Sequence, residues 1–152
     1  MAEEDSRFRF YRRHLPHWRA DRANYFVTWR LAQGLRELDS TEQTIVAHAI
    51  RHFIGVRYEI IALVIMNDHV HTIVVPFPEF SLEQIVHSWK SFTAHAIRKN
   101  RTGVGAIWQH EYFDRALRSE DECVEKLQYI RANPSKRWPG IESYAWVWPQ
   151  DE

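Results

Sequence analysis

The sequence predicts an α+β fold of the ferredoxin-like (RRM-like) kind, an antiparallel sheet built in the order β-α-β-β-α-β with one more helix after it. Two observations predict it. Dense runs of β-branched and aromatic residues alternate with stretches whose apolar residues recur at helical spacing, and each helical stretch opens on a capping-box pattern. A length of 152 residues fits one compact unit.

Residues 25–31, Tyr-Phe-Val-Thr-Trp-Arg-Leu, read as the first strand. Ser40-Thr41-Glu42-Gln43 has capping-box spacing and opens a helix carrying Val46, Ala49, Ile50 and Phe53, which Gly55 stops. Residues 57–66 and 69–76 are two strands joined by Asn67-Asp68, a pair suited to a two-residue hairpin turn. A second capping box from Ser81 to Gln84 starts a helix with Ile85, Val86, Trp89, Phe92 and Ile97. Residues 107–117 are the fourth strand candidate. Ser119 to Glu122 is the third capping box, and its helix, with Cys123, Val124, Leu127 and Ile130 as the apolar stripe, ends at Pro134. The chain thus divides into a basic aromatic arm (1–24), a core (25–118), a tyrosine-bearing helix (119–134) and a tail (135–152). In this topology the third strand is central.

Composition narrows the classes. One cysteine excludes an internal disulfide and any zinc site built on several thiolates, which points to a reducing cytoplasm. The acidic start lacks the apolar core of a signal peptide, and no apolar run is long enough to span a membrane, so no membrane partner is expected. The counts of seven Trp and nine His are high and hint at a site.

On the central strand, His69 and His71 are two apart, so both rings face one side, about 6.6 Å apart along the chain. They can converge on a cation, although alternate His on a strand more often form a half-buried surface pair. On the last helix, Tyr129 and Asn133 share a face off the apolar stripe. Taken alone, a Tyr at a helix border and an Asn before Pro also favour a structural reading. Together the two pairs make a complete set: imidazoles and an amide oxygen for a divalent ion, with a phenol beside it. An open divalent site polarises a phosphoryl oxygen, and attack by a phenol would give a covalent phosphotyrosine that permits rejoining.

Asn67-Asp68-His69-Val70-His71 and Tyr129-Ile130-Arg131-Ala132-Asn133-Pro134 resemble the HUH single-tyrosine transposases, most closely the REP-associated tyrosine transposase branch. The likeness runs from Tyr25-Phe26-Val27-Thr28 through Trp108-Gln109-His110-Glu111-Tyr112-Phe113-Asp114 to Tyr144-Ala145-Trp146. It implies a nuclease and strand transferase for single-stranded DNA near hairpins. His69, His71 and Asn133 would be metal ligands, Tyr129 the nucleophile, and Mg or Mn the ion. Tyr112 is the rival nucleophile, which the resemblance places in a supporting role. Related transposases work as homodimers that share active sites, whereas this branch is expected to allow a monomer, and both states stay open.

Twenty basic against twenty acidic side chains seem to argue against DNA. Their positions say otherwise, because thirteen of the bases fall in three acid-free stretches. The first holds Arg7, Arg9, Arg12, Arg13 and Arg19 among aromatic residues. The second holds Lys90, Arg98, Lys99 and Arg101, and the third Lys126, Arg131, Lys136 and Arg137. Bases interleaved with aromatics suit single strands, and the three stretches are expected to flank one site. Three other readings compete. A ferredoxin-like sheet could hold single-stranded nucleic acid by stacking, without cleavage. A replication initiator or relaxase shares the His motif, but the chain is short and has no P-loop. A small metal hydrolase would need carboxylate ligands, for which Asp68 and Glu59 are the near candidates in sequence.

Overall fold

A computed structural model describes residues 22–150. The arm residues Arg7, Arg9, Arg12 and Arg13 lie outside them. The elements follow in the order β1 (Asn24–Arg30), α1 (Ser40–His52), β2 (Tyr58–Ile65), β3 (His69–Pro76), α2 (Leu82–Arg98), β4 (Phe113–Leu117), α3 (Glu120–Arg137) and β5 (Val147–Trp148). The five strands form one antiparallel sheet in the order β4-β1-β3-β2-β5, so β3 is central as the topology predicts. The fold is the expected α+β one.

Both faces of the sheet are covered, because alternate residues along each strand point to opposite sides. On one side Val27, Trp29, Ile60, Leu63, Val70 and Val74 pack under α1 and α2. Three of the seven tryptophans are spent in that core. Trp89 Nε1 donates to Tyr58 Oη at 2.8 Å, Trp108 Nε1 donates to Thr93 Oγ1 at 2.8 Å, and Trp29 stacks on Trp89. For these three, core packing accounts for the ring; the indole N–H of Trp89 and of Trp108 is satisfied, whereas that of Trp29 is buried with no partner among the described residues. On the other side Phe26, Ile61, Ala62, Val64, Ile73 and Val75 receive Cys123, Val124, Leu127 and Ile130 of α3. A bulge between Ile60 and Ala62 turns both Ile61 and Ala62 towards α3.

Several boundaries differ from the sequence reading. The cap of α1 is Asp39, whose Oδ1 accepts from Glu42 N at 2.8 Å while Asp39 N donates to Glu42 Oε1 at 3.0 Å. A carboxylate one residue upstream displaces Ser40 from the box. Ser81 and Gln84 make the box as predicted, whereas at α3 Ser119 caps and Glu122 reaches Arg118 N instead of Ser119 N. The fourth strand is only Phe113–Leu117. Of residues 107–112 only Trp108 still pairs, in an isolated bridge to Leu31 with Ala32 N donating to Ile107 O and Gln109 N to Arg30 O, each at 2.8 Å. The Trp108 ring turns into the α2 core, and Lys90 Nζ donates to the carbonyls of Gln109 and His110, each at 2.8 Å. The last helix continues past Pro134 to Arg137. Proline forfeits one intrahelical bond there, close to the helix end, and its ring is buried. The tail is not featureless: β5 closes the β2 edge, and Tyr144 Oη donates to Ile65 O at 2.6 Å.

Candidate active site

The Asn67-Asp68 turn places His69 at the first position of β3, and Met66 N donates to His69 O at 2.8 Å across it. Because β3 is central, its odd-numbered residues face α3, and the two imidazoles stand 4.7 Å apart between ring centroids. On α3 the four-residue spacing stacks Asn133 one turn above Tyr129. Leu127 and Ile130, fully buried against the sheet, fix which face of α3 turns to β3. Tyr129 is brought to 5.3 Å from the His71 ring, edge-on, and Asn133 Oδ1 to 3.4 Å from His69 Nε2. The four residues picked from the sequence meet in one place.

Each imidazole is anchored through Nδ1. His69 Nδ1 lies 2.7 Å from Asp68 Oδ1, and His71 Nδ1 lies 2.7 Å from Thr28 Oγ1 of β1. Phe26 stacks on His71 at 5.3 Å. Burial first, then the charges of His69, Arg30 and Lys126, lowers the pKa of His71 to about 3, so its ring is neutral near pH 7. Its Nε2 is buried and has no hydrogen-bond partner among the described residues. An unpartnered buried ring nitrogen is costly unless something binds it. A divalent cation fits there: neutral imidazole is a good ligand, and 3.4 Å between His69 Nε2 and Asn133 Oδ1 is close to the roughly 3 Å between adjacent ligands of one octahedral ion. Among the described residues no group of three His, Cys, Asp or Glu could hold a metal ion, so a cation bound here would need the amide oxygen of Asn133 as a further donor.

Asp68 serves as an outer partner of His69, on the nitrogen turned away from Asn133. Glu59 pairs with Val75, six residues along β3 from His69, and cannot join it. Tyr112 lies with the α2 core, beside Lys90, on the other side of the sheet from His71. It is not brought to the imidazoles. Residues that the sequence reading missed are Thr28 and Phe26. The only signal for Thr28 was a polar residue in a strand otherwise rich in apolar side chains.

The basic residues divide. Lys126 Nζ stands over Phe26 at 4.8 Å and Tyr129 at 5.7 Å, and Lys136 Nζ over Tyr129 at 5.1 Å, so two ammonium groups border the phenol ring. Arg131 is half-buried on α3, and the exposed Arg137 lies 3.9 Å from Glu37. Lys90 and Arg98 line a groove of about 650 Å³ between α2 and residues 106–112, with exposed Lys99 one position beyond. Since α2 and α3 cover opposite faces, the α2 cations and the tyrosine do not border one groove, contrary to the expectation of flanking stretches. Arg101 is corrected outright. Its side chain is 3% exposed and grips Glu42 through Nε at 2.7 Å and Nη2 at 3.0 Å, which makes it a structural ion pair rather than a DNA contact.

The pattern of the family described as "Transposase IS200 like" matches residues 26–133. The chain belongs to the IS200-like transposase family. Among solved structures, this transposase resembles a REP-associated tyrosine transposase bound to a REP hairpin, with TM-score 0.68 and 23% identity over 88% of this chain and 82% of that one. It also resembles a protein from Deinococcus radiodurans R1 named as a candidate transposase, with TM-score 0.50 and 21% identity over 72% of this chain and 89% of that one. At such identities the likeness establishes the fold. No curated protein matches the sequence. No helix among the described residues is long and apolar enough to cross a membrane.

Proposed function

We propose that this transposase cleaves and rejoins single-stranded DNA beside a hairpin, with Tyr129 as nucleophile and a divalent ion, Mg or Mn, held by His69, His71 and Asn133. One observation carries the reading: groups from two elements distant in sequence meet where a buried ring nitrogen lacks a partner among the described residues. None of the three side chains would bring negative charge to a bound cation, which would therefore keep its charge to attract a phosphate. When bound, it would supply polarisation of a phosphoryl oxygen and relief of charge on the transferring group.

The chain's own residues do the rest. Tyr129 Oη loses its proton and bonds to phosphorus, the bond from phosphorus to the 3′ oxygen breaks, and that oxygen takes up a proton. The strand is left as a 5′-phosphotyrosine, and attack by a 3′ hydroxyl reverses the exchange. Edge contacts with His71 and Phe26 restrict the tyrosine ring to a narrow range of orientations. Lys126 and Lys136 add positive charge beside it, where a phosphodiester must enter. A hairpin as the DNA partner rests on the REP hairpin bound by the structural neighbour.

The test is incubation with a pool of hairpin-bearing single-stranded oligonucleotides and Mg or Mn, resolved on a denaturing gel. A covalent protein–DNA band is expected for the wild type and none for Tyr129→Phe or after chelation. The hydroxyl sits on a 40% exposed ring, so Tyr129→Phe should change unfolding free energy by less than about 0.5 kcal/mol. No band with any member of a broad pool would favour a non-cleaving binding module instead.

A further inference from the structure

The ring of His71 can carry its proton on either nitrogen, and only one choice leaves Nε2 able to bind a cation. Thr28 bears on that choice. It is a buried residue of β1, paired in register with His71 across the β1–β3 ladder, and its Oγ1 lies 2.7 Å from His71 Nδ1. If the hydroxyl donated to Nδ1, the proton would sit on Nε2 and a buried N–H would face no acceptor among the described residues. If the hydroxyl accepts, Nδ1 carries the proton and Nε2 presents a lone pair. The second arrangement turns the orphan atom into a ligand.

We infer that Thr28 is a positioning residue for the metal centre: Oγ1 accepts a hydrogen bond from His71 Nδ1–H, fixes the ring's tautomer and plane, and keeps the Nε2 lone pair aimed at the cation. This rests on the metal site proposed above. The strand pairing makes the device stiff, since backbone hydrogen bonds hold the Thr28 and His71 backbones in register. Asp68 does the corresponding job for His69 from the hairpin turn. The two ligands therefore have different anchors, an exposed carboxylate for one and a buried hydroxyl for the other.

Two measurements test the inference. Long-range ¹⁵N–¹H NMR correlations on the metal-free wild-type chain near pH 7 should show His71 protonated on Nδ1, and a proton on Nε2 would overturn the proposal. This readout holds even if the chain binds no metal, so it separates failure of the inference from failure of the proposed function. Mn binding followed by electron paramagnetic resonance should weaken about 10- to 100-fold in Thr28→Val, the near-isosteric variant, and stay within about 3-fold of wild type in Thr28→Ser. Equal Mn affinity in folded Thr28→Val and wild type would overturn the role. Should Thr28→Val fail to fold, Thr28→Ser and the wild-type tautomer still decide it.

Discussion

Glu42 is a charge held by several donors at once. Its carboxylate is fully buried, accepts from Arg101 Nε and Nη2, from Arg36 Nη1 at 2.9 Å and from the Asp39 backbone, and so ties the start of α1 to the loop after α2. Burial pushes its pKa up, but the Arg101, Asp39 and Arg36 hydrogen bonds outweigh that and bring it from 4.5 to about 2. A folded pKa below the unfolded one stabilises the protein above pH 4.5, and the contribution is lost as pH falls towards 2. Its size is on the order of 3 kcal/mol. Urea unfolding of wild type and Glu42→Gln should differ by that order at pH 7, and the gap should close between pH 4.5 and 2; a gap unchanged down to pH 2 would count against the pairing. Cys123 is a second case. Burial and the nearby Glu120 push its thiol up to about 12, so a thiol reagent should label it only in denaturant.

At the scale of elements, α3 matters most, because its docking decides whether Tyr129 and Asn133 meet the imidazoles. Leu127→Ala should cost about 2–5 kcal/mol by creating a cavity under the helix, read from denaturant unfolding. It should also reduce adduct formation, although Tyr129 itself is unchanged. The elements were largely readable from the residues. Capping patterns and apolar spacing gave three helices, and the central place of β3 followed from topology, which put His69 and His71 on the correct strand. The Thr28–His71 contact was hidden because it depends on the register between β1 and β3. The short β4 was hidden because Lys90, distant in sequence, supplies partners for the carbonyls of Gln109 and His110. The two-residue β5 is too short to leave an alternating pattern, and only its pairing with β2 defines it.

At the scale of the molecule, zero net charge hides basic regions that, among the described residues, lie on opposite faces of the sheet. A strand that reaches Tyr129 and also touches Lys90 and Arg98 has to pass around an edge of the sheet. Affinity for hairpin DNA should fall steeply between 50 and 200 mM salt, with a logarithmic slope of about −0.7 per phosphate contact for the single-stranded part. Lys136→Ala should make that slope shallower. Arg101→Ala should leave the slope intact and lower the unfolding midpoint instead, since its charge is spent on Glu42. If Arg101→Ala changed the salt slope while stability held, the assignment of Arg101 to the scaffold would be wrong.

The apolar stripe that seats α3, Cys123, Val124, Leu127 and Ile130, includes neither Tyr129 nor Asn133. The proposed nucleophile and the proposed ligand ride on a helix that the core holds by other means. Replacement of Tyr129 in a lineage would therefore leave a folded protein with its surface charges intact, so the shape can be inherited whether or not the proposed reaction is. On the proposed mechanism, the side chain at position 129 would say more about activity than overall similarity does.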